Sequence, residues 1–536
     1  MKLTGFLFAA ALLGACTQAA EENYTRHVDP KIGTGGHGHV FVGANVPFGL
    51  VQVGPTSIPQ TWDWCSGYHA SDSTVIGFSH THLSGTGIGD LFDVTVMPVT
   101  GDVTYARGEE ADPASGLWSY ADRTQEIARP GYYSVPLTRY GIRAELTATA
   151  RVGLHRYTFP ASEKAAVVFD LENGGCWDKA TETHLAKEGD RTVTGWRHST
   201  GWAKDQRVYF AAEFSKPFEK FETIGDNYAR ASFRTTDGEQ VSLKVALSPV
   251  SVEGAKANLA AELSGWDFDA TAKAADKAWN DELSKVKIET ADETARRIFY
   301  TALYHTMIAP SLFCDVNGDY YGSDHAIHRN AGFTNYTTFS LWDTYRAAMP
   351  LMTVLHPEKM ADIVQTMLHI SDEQGRLPVW HLWGNETDCM VGNPGIVAVA
   401  DAIVKGIGGF DREKAFEAIR KTAMNPDRGN GLRMEYGYIP CEMFNEAVAY
   451  DMEYALADGA AARAAETLGK AEDAKYFEER SHSYRNYFDP ATRFMRGRDS
   501  KKGWRTPFNA FASTHRADDY CEGNAWQYTW LAPHDV

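Results

Sequence analysis

Polarity along the chain changes its rhythm once, near residue 254. Upstream, apolar positions come in short runs of β-branched and aromatic residues. The clearest are 153–159 (GLHRYTF), 166–171 (AVVFDL), 207–214 (RVYFAAEF) and 241–247 (VSLKVAL), with Gly, Asp and Asn in the gaps. Such runs predict strands. Several in succession, with no helix between them, predict an antiparallel β-sandwich. Downstream, 255–263 and 270–286 are rich in Ala, Lys, Glu and Leu and predict a helical linker. Helices are then expected at 294–308, 341–355, 357–373, 397–406, 412–422, 444–468 and 471–488. The intervening loops 315–324, 380–394 and 504–522 carry polar and aromatic residues. Helices alternating with such loops fit an α/α toroid whose loops line a cleft. The expected division is a leader and tether at 1–22, a sandwich at 23–252, a linker at 253–290 and a helical catalytic domain at 291–536. A six-hairpin toroid needs twelve helices, and the pattern supplies about seven to nine of ordinary length, roughly 11–12 residues or more. The barrel is therefore expected to be incomplete and the chain truncated.

Composition narrows the class. The 536 residues carry a net charge of −18, which disfavours nucleic acid and anionic membranes as partners. The 14 Trp, 25 Tyr and 26 Phe suit stacking on sugar rings, and equally a large core. The first residues read as an export signal, with Lys2 ahead of an apolar run at 6–13. Leu13-Gly14-Ala15-Cys16 is similar to a bacterial lipoprotein box. That likeness implies cleavage before Cys16 and lipidation of it, with a plain secretory signal as the alternative. The expected location is the periplasm or outer membrane of a Gram-negative bacterium, with membrane contact only through the lipid on Cys16. No other apolar run is long enough to span a bilayer. Cys65, Cys176, Cys314, Cys389, Cys441 and Cys521 have no CxxC spacing and predict no zinc site. Export permits disulfides among them, and free buried thiols are the equal alternative.

The densest polar stretch is 67–93, GYHASDSTVIGFSHTHLSGTGIGDLFD. It holds His69, His80, His82, Asp72, Asp90, Asp93 and a Gly85-Thr86-Gly87 turn. Glycine lets backbone approach a ligand closely, and polar groups at that density need partners if buried. With 29–39 and 62–67 it is read as one wall of a sugar-sized pocket. The bland alternative is a set of tight turns with satisfied side chains. His80 and His82 alternate on a strand and share a face; a structural role at the domain interface is favoured for them over sugar contact.

Five runs carry a family resemblance: DPKIGTGGHGHVFVGANVPFGL (29–50), CSGYHASDSTVIGFSHTHLSGTG (65–87), TTFSLWDTYR (337–346), GNETDCMVG (384–392) and EGNAWQYTWLAPHDV (522–536). In this order they resemble glycoside hydrolase family 92. The resemblance implies a calcium-dependent, inverting exo-α-mannosidase with an N-terminal β-sandwich, a helical linker and an (α/α)6 barrel. Its substrates would be mannose-containing glycans such as mannan or high-mannose N-glycans. An inverting glycosidase sets two carboxyl groups about 6.5–9.5 Å apart, one to protonate the leaving oxygen and one to activate water. By resemblance the acid is Glu522, with Tyr520, Trp526 and Tyr528 as apolar surroundings and Asp518 and Asp519 as nearby charge. A plain reading of Glu522 is a cap on the following helix. The family's base, an Asp pair, and its main calcium ligands are implied beyond residue 536, so this chain alone is expected to be inactive and the intact protein to be the enzyme. Trp342 and Asp343 match a pair that contacts the terminal mannose, with Arg346 orienting Asp343. Trp62, Asp63 and Trp64 match the leaving-sugar loop of α-1,2-selective members. Asn385 and Glu386 are sugar-contact candidates. Calcium, a hard cation, would hold vicinal sugar hydroxyls. The competing readings are a non-catalytic mannoside-binding lipoprotein, an inactive fragment, and a phosphorylase of the same build.

Overall fold

The structure, a computed structural model, describes residues 22–536, so the leader and Cys16 lie outside the described residues. Two antiparallel sheets form the first body. The larger has eight strands in the order Lys179–Glu188, Thr192–Thr200, Gln206–Phe214, Glu239–Ser248, Val152–Phe159, Ile142–Ala148, Tyr132–Leu137 and Ile127–Arg129. The smaller runs Gly54–Thr56, Gly77–Ser79, Thr95–Thr100, Ser162–Asp170, Tyr228–Thr235 and Lys220–Ile224. Alternation fixes which face is inward. Val241, Leu243, Val245 and Leu247 of one sheet and Val167 and Phe169 of the other are fully buried. Phe169 and Phe210 stack across the layers with ring centroids 6.0 Å apart.

The linker helices are Val252–Glu262 and Phe268–Leu283. Ser251 and Asp267 cap them, each side chain accepting from the backbone N–H three residues on. The first packs on the larger sheet, against Glu239–Ser248 and Gln206–Phe214. Trp279 on the second is fully buried and donates to the Asn45 carbonyl at 2.8 Å. The linker is thus an outer layer of the sandwich rather than a free connector.

The second body is helical. Its longest helix, Ala447–Thr467, packs against Pro394–Val404 and Ala471–Ser481. Buried Ala457, Ala461, Ala464 and Ala465 let those backbones come close. The expected single helix at 341–355 is two, Leu341–Thr344 and Ala348–Leu355. Pro350 explains the break, since it lacks the N–H that would bond back to residue 346 and its ring clashes there. Among the described residues no helix is long and apolar enough to cross a membrane.

One apolar core runs through both bodies. Leu312, Phe313, Tyr320, Trp380, Leu382 and Trp383 of the helical body sit in the same cluster as the sandwich interior. Trp202 of the sandwich meets Trp380 edge-on at 4.4 Å. Arg151 Nε donates to the Cys314 carbonyl at 2.7 Å, and Asp315 accepts from Ser248 and Asn258, both at 2.8 Å. Loop 315–324 therefore docks the two bodies.

Candidate active site

The expectation that the stretch 67–93 forms a pocket wall is corrected for its His and Asp side chains, while its turn 84–88, beneath Trp62, stays at the surface. Those side chains are buried and mostly paired. His80 bonds the Val94 carbonyl through Nδ1 at 2.6 Å and His155 Nε2 at 2.9 Å. His82 bonds the Gln52 carbonyl at 2.8 Å. Burial pushes the two imidazoles down to about 3 and about 4, so both are neutral. Both are structural, and the Phe41 ring 5.0 Å from His82 belongs to the apolar cluster that continues into the helical body. Asp93 accepts from Thr81 and Gln206 and pairs with Arg197 at 2.7 Å. Arg197, fully buried, also pairs with Asp178 at 2.9 Å. Asp90 accepts from the Ala203 N–H at 2.9 Å, its other oxygen stays unpaired, and burial raises its carboxyl to about 6. The stretch is a foundation: through Asp90 it holds the turn that presents Trp202.

The candidate site is the cavity that Trp202 reaches. It encloses about 650 Å³. Trp202 and Lys204 line it from the sandwich; Thr387, Asp388, Cys389 and Met390, the segment 442–446, Tyr450, His515, Arg516 and Cys521 line it from the helical body. Three chain segments enter it with non-glycine residues in the left-handed region. These are Asp388 (φ 54°) and Met390 (φ 73°), Glu446 (φ 56°), and Arg516 (φ 58°) with Glu522 (φ 48°). Such strain persists only where surroundings enforce it and clusters at functional sites.

Glu522 follows the cavity-lining Cys521, and its charge acts on the Cys389 and Cys521 thiols. It is exposed. Of its expected apolar surroundings, Tyr520 and Tyr528 are buried beneath it, while Trp526 turns outward onto Phe494 and Phe511. It is not a helix cap: Asn524 caps Ala525–Tyr528 in a capping box with Gln527. Glu446 differs. It is only 8% exposed, and its Oε1 is buried with no hydrogen-bond partner. Burial raises its carboxyl; the Cys521 thiol and the Arg516 backbone beside it pull the other way and are outweighed. Its backbone is pinned, its N–H donating to the Asp518 carbonyl at 2.7 Å and its carbonyl accepting from Tyr450 at 2.9 Å.

The other expected contacts divide. Trp342 packs on the cluster of Tyr520, Cys521 and Tyr528 that backs Glu522. Its Nε1 donates to Glu453 at 2.9 Å, as do Tyr345 at 2.8 Å and Arg346 at 2.7 Å. Arg346 therefore serves Glu453 and does not orient Asp343. Asp343 is exposed and accepts from Ser340. Asn385 and Glu386 do not reach the cavity as free groups. Asn385 exchanges hydrogen bonds with both backbone groups of Asp205 at 2.9 Å and donates to the Trp383 carbonyl, clamping sandwich to barrel. Glu386 accepts from the N–H groups of Val379, Trp380 and Asp388 at 2.8–3.0 Å and sets the loop carrying Thr387–Met390. Trp62 and Trp64 are not among the residues that line the cavity. Trp64 stacks on His69 at 4.4 Å and donates to Asp72 at 2.7 Å. Trp62 is 49% exposed and lies on Gly87, donating to its carbonyl at 2.8 Å; a Cβ on Gly87 would fall 2.5 Å from the indole.

Two family models match the chain: the glycosyl hydrolase family 92 N-terminal domain over residues 27–248, and the family 92 catalytic domain over residues 254–536. The chain belongs to glycoside hydrolase family 92. Solved family 92 structures share its fold. The α-mannosidase BT3965 of Bacteroides thetaiotaomicron, solved with mannoimidazole, is 39% identical, with a TM-score of 0.92 over 96% of this chain and 71% of that one. The inverting mannosidase BT2199 of the same bacterium is 29% identical, with a TM-score of 0.86 over 95% of this chain and 71% of that one. An uncharacterized secreted glycosidase of Arthroderma benhamiae is 25% identical and covers 100% of this chain and 74% of the relative.

Sequence reasoning missed Glu446, Trp202 and Glu453 in this family 92 chain. Asp451 and Glu453 are acidic residues five and seven positions beyond Glu446, up to two turns along a helix that is buried along most of its length. That is a readable oddity, because buried carboxylates need partners. Trp202 carried no signal beyond being aromatic.

Proposed function

We propose that this chain forms the acid side of an exo-acting α-mannosidase site that hydrolyses terminal α-1,2-linked mannose with inversion. Its glycans would be mannan or high-mannose N-glycans. The observation that supports this best is the pair of strained glutamates, Glu522 and Glu446, at the mouth and wall of one cavity between the domains. Glu522 would give its proton to the leaving oxygen. Glu446, a buried carboxyl with an unused oxygen, would hydrogen-bond a sugar hydroxyl. Asp343 and the Trp342 ring would meet the terminal mannose, and Trp62 would meet the leaving sugar. Asn385 and Glu386 act as positioning residues.

Calcium is part of the reading only as a family property. Calcium takes 6–8 oxygen ligands. The cavity walls instead set Asp388, Glu442 and Glu446 among Lys204, His515 and Arg516. Among the described residues, only Asp324, His328 and Glu373 converge as three ligands, and they lie outside the cavity. The residues of this chain do not fit a calcium cage, and no step is drawn through one. Export, with lipidation at Cys16, is proposed on the leader and on the secreted relative.

The decisive experiment follows, by NMR, mannose released from α-1,2-mannobiose by the intact protein, which must carry the catalytic base as well as Glu522. The expected product is β-mannose, formed directly. Release of the α-anomer would sink the inverting mechanism. Mannoside binding without any turnover would favour a non-catalytic lectin-like lipoprotein, and phosphate-dependent release of a sugar phosphate would favour a phosphorylase.

A further inference from the structure

A second group of convergent side chains lies away from the substrate cavity. The hairpin of Tyr320–Tyr321 and Ile327–His328 packs beside the helix Pro357–Gln374. Between them Asp324, His328 and Glu373 each turn one donor atom to a common point, and the three atoms lie within 4.8 Å of one another. His328 Nε2 is 3.1 and 3.2 Å from the two Asp324 oxygens and 3.5 Å from Glu373 Oε1. A tetrahedral zinc ion with bonds of about 2.0–2.1 Å spaces its ligand atoms about 3.4 Å apart. The spacings from His328 to the two carboxylates bracket that value.

The surroundings are built for such a point. Glu373 Oε1 accepts from the Tyr320 hydroxyl and Oε2 from the Ser323 N–H, both at 2.7 Å. The His328 ring lies flat on Tyr320, with centroids 4.8 Å apart and planes at 10°. These are the outer contacts that orient metal ligands. The Glu373 side chain is 5% exposed while Asp324 is exposed, so the two carboxylates meet at a point dry on one side, with one imidazole between them. Gly322 keeps the space open: a Cβ there would lie 2.7 Å from both Asp324 Oδ1 and His328 Nε2.

We propose that Asp324, His328 and Glu373 bind a zinc-class divalent ion, with a fourth position left to water. One nitrogen and two carboxylates suit zinc, whereas calcium prefers an all-oxygen shell. His328 would ligate through Nε2 as the neutral tautomer protonated on Nδ1. The ion would tie the hairpin to the helix at the domain boundary. The same hairpin reaches the sandwich through the Tyr321 hydroxyl, which donates to Asp205 at 2.9 Å, and Asp205 is the residue Asn385 clamps. The site would stabilise the seam between the two bodies. The competing account is a protonated His328 bridging two carboxylates.

Calorimetric titration of the metal-stripped chain with zinc chloride separates the two. One zinc per chain is expected, with a rise in melting temperature. Affinity should fall tenfold or more in His328→Ala and in the milder Asp324→Asn. Tyr320→Phe, which keeps the ring and removes the hydroxyl, should weaken binding less. No zinc heat and no shift in melting temperature overturns the site. So does zinc binding that is equal in wild type and both ligand variants, because other histidines or thiols would then account for it. Calcium matching zinc at equal concentration overturns the assignment of ion class.

Discussion

Two polar clusters of this molecule look alike in the sequence and behave oppositely in the fold. One is the His- and Asp-rich stretch 67–93; the other is the cavity wall built from 387–390, 442–446 and 515–522. The first hides His80, His82, Asp93 and Arg197 inside the sandwich and pairs them. The second leaves the Glu446 carboxyl with an unpaired oxygen beside open space and puts Glu446 and Glu522 in left-handed backbone. Polar density therefore marks burial as often as it marks a site. An unanswered oxygen or left-handed backbone alone does not distinguish the site, because Asp90 keeps an unpaired oxygen and Leu91 and Phe92 are left-handed in the first stretch; what distinguishes it is that Glu446 brings both to a cavity wall.

The contrast can be broken by substitution. The largest effect belongs to the cavity: in the intact protein, Glu522→Gln should slow hydrolysis of an unactivated mannobiose about 10²–10⁴-fold without changing the melting temperature. Normal turnover in that variant removes Glu522 from the mechanism. Next comes the foundation. Arg197→Ala leaves Asp93 and Asp178 buried and uncompensated, and should destabilise by about 3–5 kcal/mol in urea unfolding. If mannoside affinity in the folded fraction fell instead, the stretch would belong to the site after all.

Acid should discriminate next. The buried His80, His82 and His381 have folded values near 3, 4 and 3, below the usual imidazole value. Their stabilisation is complete above about pH 6.5 and is lost as pH falls toward those values, each at about 1.4 kcal/mol per pH unit. Asp90 and Asp315, raised to about 6, work in the opposite sense. They favour the fold as pH falls through 6 and stop below their unfolded range. The imidazoles outnumber them, so the urea midpoint should decline between pH 6.5 and 4. A midpoint that rises on acidification would mean those imidazoles are not neutral in the fold. The smallest effect is Glu446→Gln. It keeps the shape and one hydrogen bond, so KM for mannobiose should rise by about tenfold or less, with kcat little changed. An unchanged KM would leave Glu446 as a wall residue only.

The architecture was legible because sheet and helix periods differ and the change at 254 is sharp. The four expected strands and the two-helix linker all form. Pro350 was readable too, as a residue that cannot sit inside the helix expected across it. The site was less legible. Glu522 came only from resemblance, since an exposed glutamate near a helix start has no local mark. Glu446 was hidden because its meaning lies in burial and in the partner it lacks, and neither is a property of sequence. Asn385 and Glu386 were picked as sugar contacts. Their polar atoms face the Asp205 backbone and the 379–388 loop, and only three-dimensional proximity reveals that.

The continuous core across the domain seam sets how a glycan could enter. Trp380 against Trp202, and Phe313 and Trp383 inside the sandwich cluster, leave no slip plane between the bodies. Opening them like jaws would expose several large aromatic side chains, each worth about 1.5–3 kcal/mol when buried. The binding chamber is therefore set when the chain folds, and only the loops at its rim are free to admit and release a sugar. By the same reasoning the helical half has no independent existence in water. Expressed alone, it would present that aromatic surface to its own copies and aggregate.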